Sequence, residues 1–182
     1  MPETALNEQQ LVIDCQKGDR RAQKKLYEIF SGKMMAVCLR YCKDRETARD
    51  LLHDGFLKVF SHIDDFESKG SFEGWIRKIM INTALEYVRK QNDEGYSLNI
   101  EEAYTLTNGD FSILDNLQAE ELIGLIQKLP DAYRSVFNLF VVEGYSHKEI
   151  AAAMKITESS SRVYLTRAKQ LLQEMLAVYK EY

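Results

Sequence analysis

The chain has 182 residues, 45% of them hydrophobic and 29% charged, with a net charge of −4. That is the make-up of a soluble folded protein with one ordinary domain or two small ones. No apolar run reaches the roughly 20 residues that cross a bilayer, and Met1-Pro2-Glu3-Thr4 has neither the basic stretch nor the apolar core of a signal peptide, so a cytoplasmic protein is expected.

From Glu8 to about Gln91 the apolar residues recur at helical spacing. Leu11, Ile13 and Cys15 begin a first short helix that stops near Gly18-Asp19. Ala22, Leu26, Ile29 and Phe30 give a second amphipathic stretch, and Ser31-Gly32 predicts a break before a further helix from Lys33 to Tyr41. Asp44 is a candidate N-cap for a long helix through Phe60, with Ala48, Leu51, Leu52, Phe56, Val59 and Phe60 on its apolar face. Asp64 to Gly74 reads as a loop, and Trp75 to Lys90 returns to a helical period. The three cysteines, Cys15, Cys38 and Cys42, read as buried thiols in a reducing compartment. Cys38 and Cys42 stand at i and i+4 and could face one metal, but no second ligand pair follows at a zinc-like spacing.

Between Asp93 and Glu121 there are eight acidic residues and no Lys or Arg, which leaves the rest of the chain at +4. An acidic total therefore does not argue against a nucleic-acid partner, because the charges are segregated. Asn, Gly, Ser and Thr dominate the same stretch, so a flexible acidic linker is expected over residues 93–117. As a coil of about 20 residues it would separate its ends by roughly 25 Å.

Periodicity resumes at Leu117 and runs to Leu129, where Pro130 ends the helix. Asp131 is expected to cap the next helix, which turns Tyr133, Val136, Phe137, Phe140 and Val141 inward and stops at Glu143-Gly144. Ser146 with Glu149 three residues on is a capping box. A short helix from His147 to Met154, a turn at Lys155 to Thr157 and a last helix from Glu158 to Tyr179 follow. This is the spacing of a helix-turn-helix, with Ile150, Ala151, Met154, Ile156, Val163 and Leu165 as the apolar wedge between its helices. Ser159, Ser160, Arg162, Thr166, Arg167 and Lys169 remain available to a major groove, where Arg reads guanine and Lys or Ser anchors phosphate. The plain alternative is a helical hairpin with a solvated basic face. No strand pattern competes anywhere, so the fold class is all-α, with two small helical domains, the C-terminal one a helix-turn-helix.

The run Asp50-Leu-Leu-His-Asp-Gly-Phe-Leu-Lys-Val-Phe60, followed by Phe66, Phe72, Trp75, Ile79, Asn82 and Arg89, resembles regions 2.1 to 2.4 of sigma-70 family factors. Leu129-Pro130, Tyr133-Arg134, Phe137, Glu143 to Ser146, Glu149 to Ala151 and Arg167 to Lys169 resemble region 4. Two such regions with only a linker between them look like the extracytoplasmic-function (ECF) group of RNA polymerase sigma factors. The resemblance implies region 2 over residues 8–92, the linker over 93–117 and region 4 over 118–180. It implies that Asp50, His53, Asp54, Phe56, Leu57 and Lys58 dock on the β′ coiled coil of core RNA polymerase. Phe66, Lys69, Ser71, Arg77, Lys78, Asn82 and Arg89 fall where the family captures single-stranded bases of the −10 element and holds their phosphates. Phe72 and Trp75 can equally be core residues. Arg162, Val163, Thr166 and Arg167 fall on the base-contacting positions for the −35 element, with Ser159, Ser160 and Lys169 beside them. The implied partners are core polymerase (β′ coiled coil and β flap), promoter DNA and an anti-sigma factor. Here His53-Asp54 stands for the family's common Gln-Glu pair, and Ser159-Ser160-Ser161 for its common Gly-Thr-Val.

No metal-carboxylate cluster, phosphate-cradling glycine loop or nucleophile-base set is present in the sequence, so a non-catalytic protein with no cofactor is expected. Two other readings use the same residues. A dimeric repressor or activator would share the helix-turn-helix but leave Asp50 to Asn82 unexplained, and a degenerate module would bind core without reading DNA.

Overall fold

The computed structural model describes residues 3–67, 69–93 and 119–179. Among the described residues the regular elements are all helical. They are α1 (Glu3–Gln16), α2 (Arg20–Tyr41), α3 (Arg45–Ser61), α4 (Phe72–Asp93), α5 (Ala119–Gln127), α6 (Asp131–Phe137), α7 (His147–Met154) and α8 (Glu158–Tyr179). The chain divides into two compact units, Met1–Cys38 with Arg45–Ala84 and Leu39–Asp44 with Leu85–Tyr182. Apart from Asp93, the acidic stretch read as a linker lies outside the described residues.

In the first unit, Gly18 lies in the turn that follows α1, with a φ of +79° that suits glycine. Asp19 then caps α2, its Oδ1 accepting from the backbone N–H of Arg21 at 2.7 Å and of Ala22 at 3.2 Å. The expected break at Ser31-Gly32 does not occur, and α2 is one helix of 22 residues. Phe30, Met34 and Val37, all buried, straddle Gly32 at helical spacing. Their burial, worth roughly 1.5–3 kcal/mol per side chain, exceeds the ~1 kcal/mol that a mid-helix glycine costs. Ile29, expected to face inward, is 49% exposed. The core is closed by Leu51, Phe56 and Val59 of α3 and by Phe72, Ile76, Met80 and Ala84 of α4. Gly55 lets α3 approach α4, because a Cβ there would overlap the Sδ of fully buried Met80.

The cysteines are free and buried, as expected. Burial pushes the Cys15 thiol up to about 11, with the carboxylates of Asp14 and Asp19 adding to the shift, so it is a packing residue and not a nucleophile.

The second unit is organised around a buried arginine. Arg134 is 1% exposed. Its Nε donates to the Tyr41 carbonyl at 3.2 Å, its Nη1 to the carbonyls of Gln127 at 2.9 Å and Leu129 at 3.1 Å, and its Nη2 to Asp131. Gln127 donates to the Leu39 carbonyl at 3.0 Å and Asn138 to that of Arg40 at 2.6 Å. Three successive carbonyls at the C-terminus of α2, which a helix end leaves without intrahelical partners, are thus satisfied by side chains.

Asp131 does not cap α6 as expected: Pro130 holds the N-cap position, and the Asp131 carboxylate is drawn to Arg134 instead. After Phe137 the helix widens into a π-turn over Asn138–Val142. The wider turn shifts the phase of the residues beyond it. Val136, Phe137 and Leu139 are buried, whereas Phe140 and Val141, expected inside, are 36% and 48% exposed.

Candidate nucleic-acid interface

The helix-turn-helix is built by local chemistry. Ser146 Oγ accepts from the Glu149 N–H at 3.3 Å, and the Glu149 carboxylate accepts from the Ser146 N–H at 2.8 Å. This capping box satisfies two backbone N–H groups that a helix start leaves without intrahelical partners. Hydrogen bonds from the Ser146 hydroxyl, then from its backbone, hold the Glu149 carboxyl below its ordinary 4.5. Lys155 ends α7 in the left-handed region at φ +55°. Thr157 starts α8, its Oγ1 accepting from the Ser160 N–H at 3.0 Å and lying 2.8 Å from the hydroxyls of both Ser159 and Ser160.

One face of α8 is the core stripe Ser161, Leu165, Ala168, Leu172 and Leu176, all buried. The expected wedge residues Ile150, Met154 and Leu165 are buried too. Val163 is not in the wedge: at 48% exposed it joins the outer face. Ser159, Arg162, Val163 and Thr166 share that face at helical spacing. The first three are exposed, and Ser160, Thr166, Arg167 and Lys169 are half-buried. The Arg162 guanidinium lies 3.4 Å from the Glu158 carboxylate, with 58% and 47% of the two side chains exposed. Glu158 had no signal in the sequence beyond its place four residues ahead of Arg162.

His147 opens α7 and touches α8. Its Nδ1 lies 2.9 Å from Ser161 Oγ, and its ring stacks on Phe140 at 4.6 Å. Burial, and then the Arg162 charge, hold its pKa below the ordinary 6.5 against a smaller opposing pull from Glu158.

In the first unit, Asp50, His53, Asp54 and Leu57 form an exposed row along α3, with Lys58 half-buried beside them. Leu57 is 56% exposed, but Phe56 is only 2% exposed and supports the row from beneath. Tyr27, which the sequence reading passed over, packs on Phe56 at 4.7 Å and keeps 40% of its surface exposed.

After a 3₁₀ turn at Ile63–Asp65, Phe66 meets Phe72 at 4.8 Å and Trp75 at 5.5 Å. Phe72 is a core residue at 1% exposure, while Phe66 and Trp75 are half-buried and keep ring surface in contact with solvent. Ser71 Oγ accepts from the Gly74 N–H at 3.3 Å and caps α4. Lys69, Ser71, Lys78 and Asn82 are exposed and Arg77 is half-buried. Trp75, Lys78 and Asn82 follow one another along one stripe of α4. Arg89, further along α4, belongs to the second unit and donates from Nη1 to the Ala153 carbonyl at 3.3 Å.

Two family models match the chain: Sigma-70 region 2 over residues 26–94 and Sigma-70 region 4 over residues 119–172. The RNA polymerase sigma-H factor of Pseudomonas aeruginosa is 26% identical over 185 residues, covering 95% of each chain. The ECF RNA polymerase sigma factor SigW of Bacillus subtilis is 28% identical, covering 91% of this chain and 94% of its own. The ECF RNA polymerase sigma-E factor of Escherichia coli K12 is likewise 28% identical, covering 92% and 93%. Among solved structures, the sigma factor RpoE in complex with the anti-sigma factor NepR from Bartonella quintana shares the fold at a TM-score of 0.51 and 21% identity, over 85% of this chain and 96% of that one. With both region models matched in order and such relatives spanning its length, the chain belongs to the sigma-70 family of RNA polymerase sigma factors, in its ECF group.

Proposed function

We propose that this chain docks on core RNA polymerase, reads the −35 element as duplex and captures bases of the −10 element as single strand. In this reading residues 8–92 and 118–180 are the two working domains and residues 93–117 the linker between them. The observation that carries it is the second unit's α7–α8 pair. A capped short helix and a left-handed turn present Ser159, Arg162, Val163 and Thr166 on one outward face.

Arginine pairs bidentately with guanine, and Val163 and the Thr166 methyl suit thymine methyl groups. Ser159 and Ser160 at the start of α8 fit phosphate anchoring, with Arg167 and Lys169 further along. For −10 capture, Phe66 and Trp75 offer a stacking surface worth about 1–3 kcal/mol per base. Asn82, Lys69 and Ser71 supply hydrogen bonds, and Arg77, Lys78 and Arg89 supply positive charge. Docking on core falls to Asp50, His53, Asp54, Leu57 and Lys58, with Phe56 holding their helix in place; a mixed charged and apolar row suits such an interface. The chain works by binding, and bond formation belongs to the core enzyme. Core polymerase and promoter DNA are the partners of this proposal, and an anti-sigma factor is the third that the family reading brings.

The test is transcription from a mapped promoter by purified core with and without the chain. Initiation that requires the chain, and weakens when Arg162 and Arg167 are replaced by alanine, is expected. A chain that neither binds core nor directs initiation at any promoter overturns the proposal.

A further inference from the structure

Residues 17–28, where α1 gives way to α2, carry five cations and two carboxylates, a net +3 in a chain whose total is −4. All five cations lie ahead of residue 26, where the match to Sigma-70 region 2 begins, and none belongs to the site described above. We propose that Lys17, Arg20, Arg21, Lys24 and Lys25 form a track for the sugar-phosphate backbone of single-stranded promoter DNA beside the −10 surface. The inference rests on the −10 reading above and extends it from bases to backbone.

Helix geometry gathers the charges. On α2, Arg20 and Lys24 stand one turn apart, as do Arg21 and Lys25, and the two rows lie side by side. The opposite face is the buried stripe Ala22, Leu26 and Phe30, and all five cations are exposed. Of the five, Lys24 alone has an ion-pair partner among the described residues, Glu28 at 3.8 Å, and both of those side chains are mostly exposed. Two local preferences run against this arrangement. Cations weaken a helix at its N-terminal end, and beyond the Asp19 cap α2 has no acid in its first turn. Like charges one turn apart weaken it further. An exposed face that breaks local rules in this way marks residues set by binding and not by folding. Lys is depleted from protein interfaces, whereas Lys and Arg are common phosphate contacts, so the face suits a polyanion. Gln16, next to Lys17, donates to the Ile63 carbonyl at 3.1 Å, in the turn that leads to Phe66. The track therefore adjoins the −10 surface. From Arg20 to Lys25 it runs roughly 8 Å at about 1.5 Å per residue, the rise of about two nucleotides.

The experiment measures binding of fluorescent single-stranded oligonucleotides to the full chain in complex with core polymerase, over a salt series. One oligonucleotide stops at the ends of the −10 element, and the other continues well beyond it on both sides. Wild type is expected to bind the longer one more tightly, whatever its flanking sequence. The Arg20→Gln/Arg21→Gln/Lys24→Gln/Lys25→Gln variant is expected to bind the longer one about tenfold more weakly. The slope of its salt dependence falls by about 1.4, or about 0.7 for each of two phosphate contacts. Its affinities for the shorter oligonucleotide and for core are expected to stay unchanged, and the charge-keeping Arg20→Lys/Arg21→Lys variant to bind as wild type does. A quadruple variant that binds both oligonucleotides like wild type overturns the proposal. So does one that loses core affinity instead, since the face would then be a protein contact. Phe66→Ala is expected to weaken both oligonucleotides and so tells the two readings apart. If it weakens them and the quadruple variant changes nothing, the track falls and the −10 reading stands. If neither changes anything, the −10 reading itself fails and the track fails with it.

Discussion

His147 Nδ1 and Ser161 Oγ lie 2.9 Å apart, joining the first residue of α7 to the buried stripe of α8. The bond ties the two helices of the helix-turn-helix together at the end where α8 begins. Replacing His147 by Phe keeps a ring to stack on Phe140 but removes the partner of a buried hydroxyl. A loss of about 1–2 kcal/mol is expected, measured by urea denaturation near pH 7. An unchanged midpoint would show that Ser161 is satisfied without His147.

The same histidine makes the motif sensitive to acid. Its folded pKa is lowered, by burial first and by Arg162 second, so the folded state binds this proton less readily than the unfolded chain. Its contribution is therefore full above the ordinary value of 6.5 and is lost as pH falls below it towards the depressed folded value. The thermal midpoint of the wild type is expected to drop more steeply than that of His147→Phe between about pH 6.5 and 5. Parallel pH profiles for the two proteins would refute this.

Glu158 opens α8 and lies 3.4 Å from the Arg162 guanidinium across one turn. Both groups are exposed, so the pair contributes little to stability, but under the proposed −35 reading its carboxylate would oppose DNA phosphates. Glu158→Gln is expected to raise affinity for a −35 duplex about two- to fivefold at low salt. The gain should shrink as salt rises. Fluorescence anisotropy over a salt series measures both, and an affinity that falls in the variant would mean that Glu158 positions Arg162 productively.

What could be read from the sequence was whatever has a local cause. The capping box at Ser146 and Glu149, the turn at Lys155 and the stop at Pro130 are set by residues within four positions of one another, and the structure has all three. Ser31-Gly32 misled because the break signal is a propensity, and core side chains on both sides of Gly32 outweigh it. Phe140 and Val141 were placed inside because a 3.6-residue period cannot anticipate a π-turn. Of the candidate site, the outward faces of α3 and α8 followed from the periodicity of their buried faces. The packing of Tyr27 on Phe56 did not, because the two residues come together only in the folded unit.

Gly55 and Met80 predict a packing cost. Ala is ordinarily better than Gly inside a helix by about 0.5–1 kcal/mol. Here the added methyl would overlap the thioether of fully buried Met80, which must shift within a packed core to admit it. Overpacking of that kind costs about 1–3 kcal/mol. Gly55→Ala is therefore expected to lower stability, and combining it with Met80→Ala to cost less than the sum of the two single losses. The fluorescence of Trp75, the only tryptophan and a first-unit residue, follows that unfolding. A more stable Gly55→Ala protein would mean that Met80 repacks without strain.

Arg134 carries the largest expected loss. Replacing it by Met would strand the Asp131 carboxylate and remove the donor that serves the carbonyls of Tyr41, Gln127 and Leu129. Breaking a buried ionic group of this kind costs about 3–5 kcal/mol. Arg134→Lys is expected to recover only part of it, since an ammonium cannot reproduce the planar fork that reaches all four acceptors. Adding Asp131→Asn to Arg134→Met removes the stranded charge, so the double variant is expected to lose less than the sum of the single losses. Urea denaturation followed by far-ultraviolet circular dichroism measures the cycle. Additive losses would mean that Asp131 is served by Lys43, 3.6 Å away, and that Arg134 acts through the carbonyls alone.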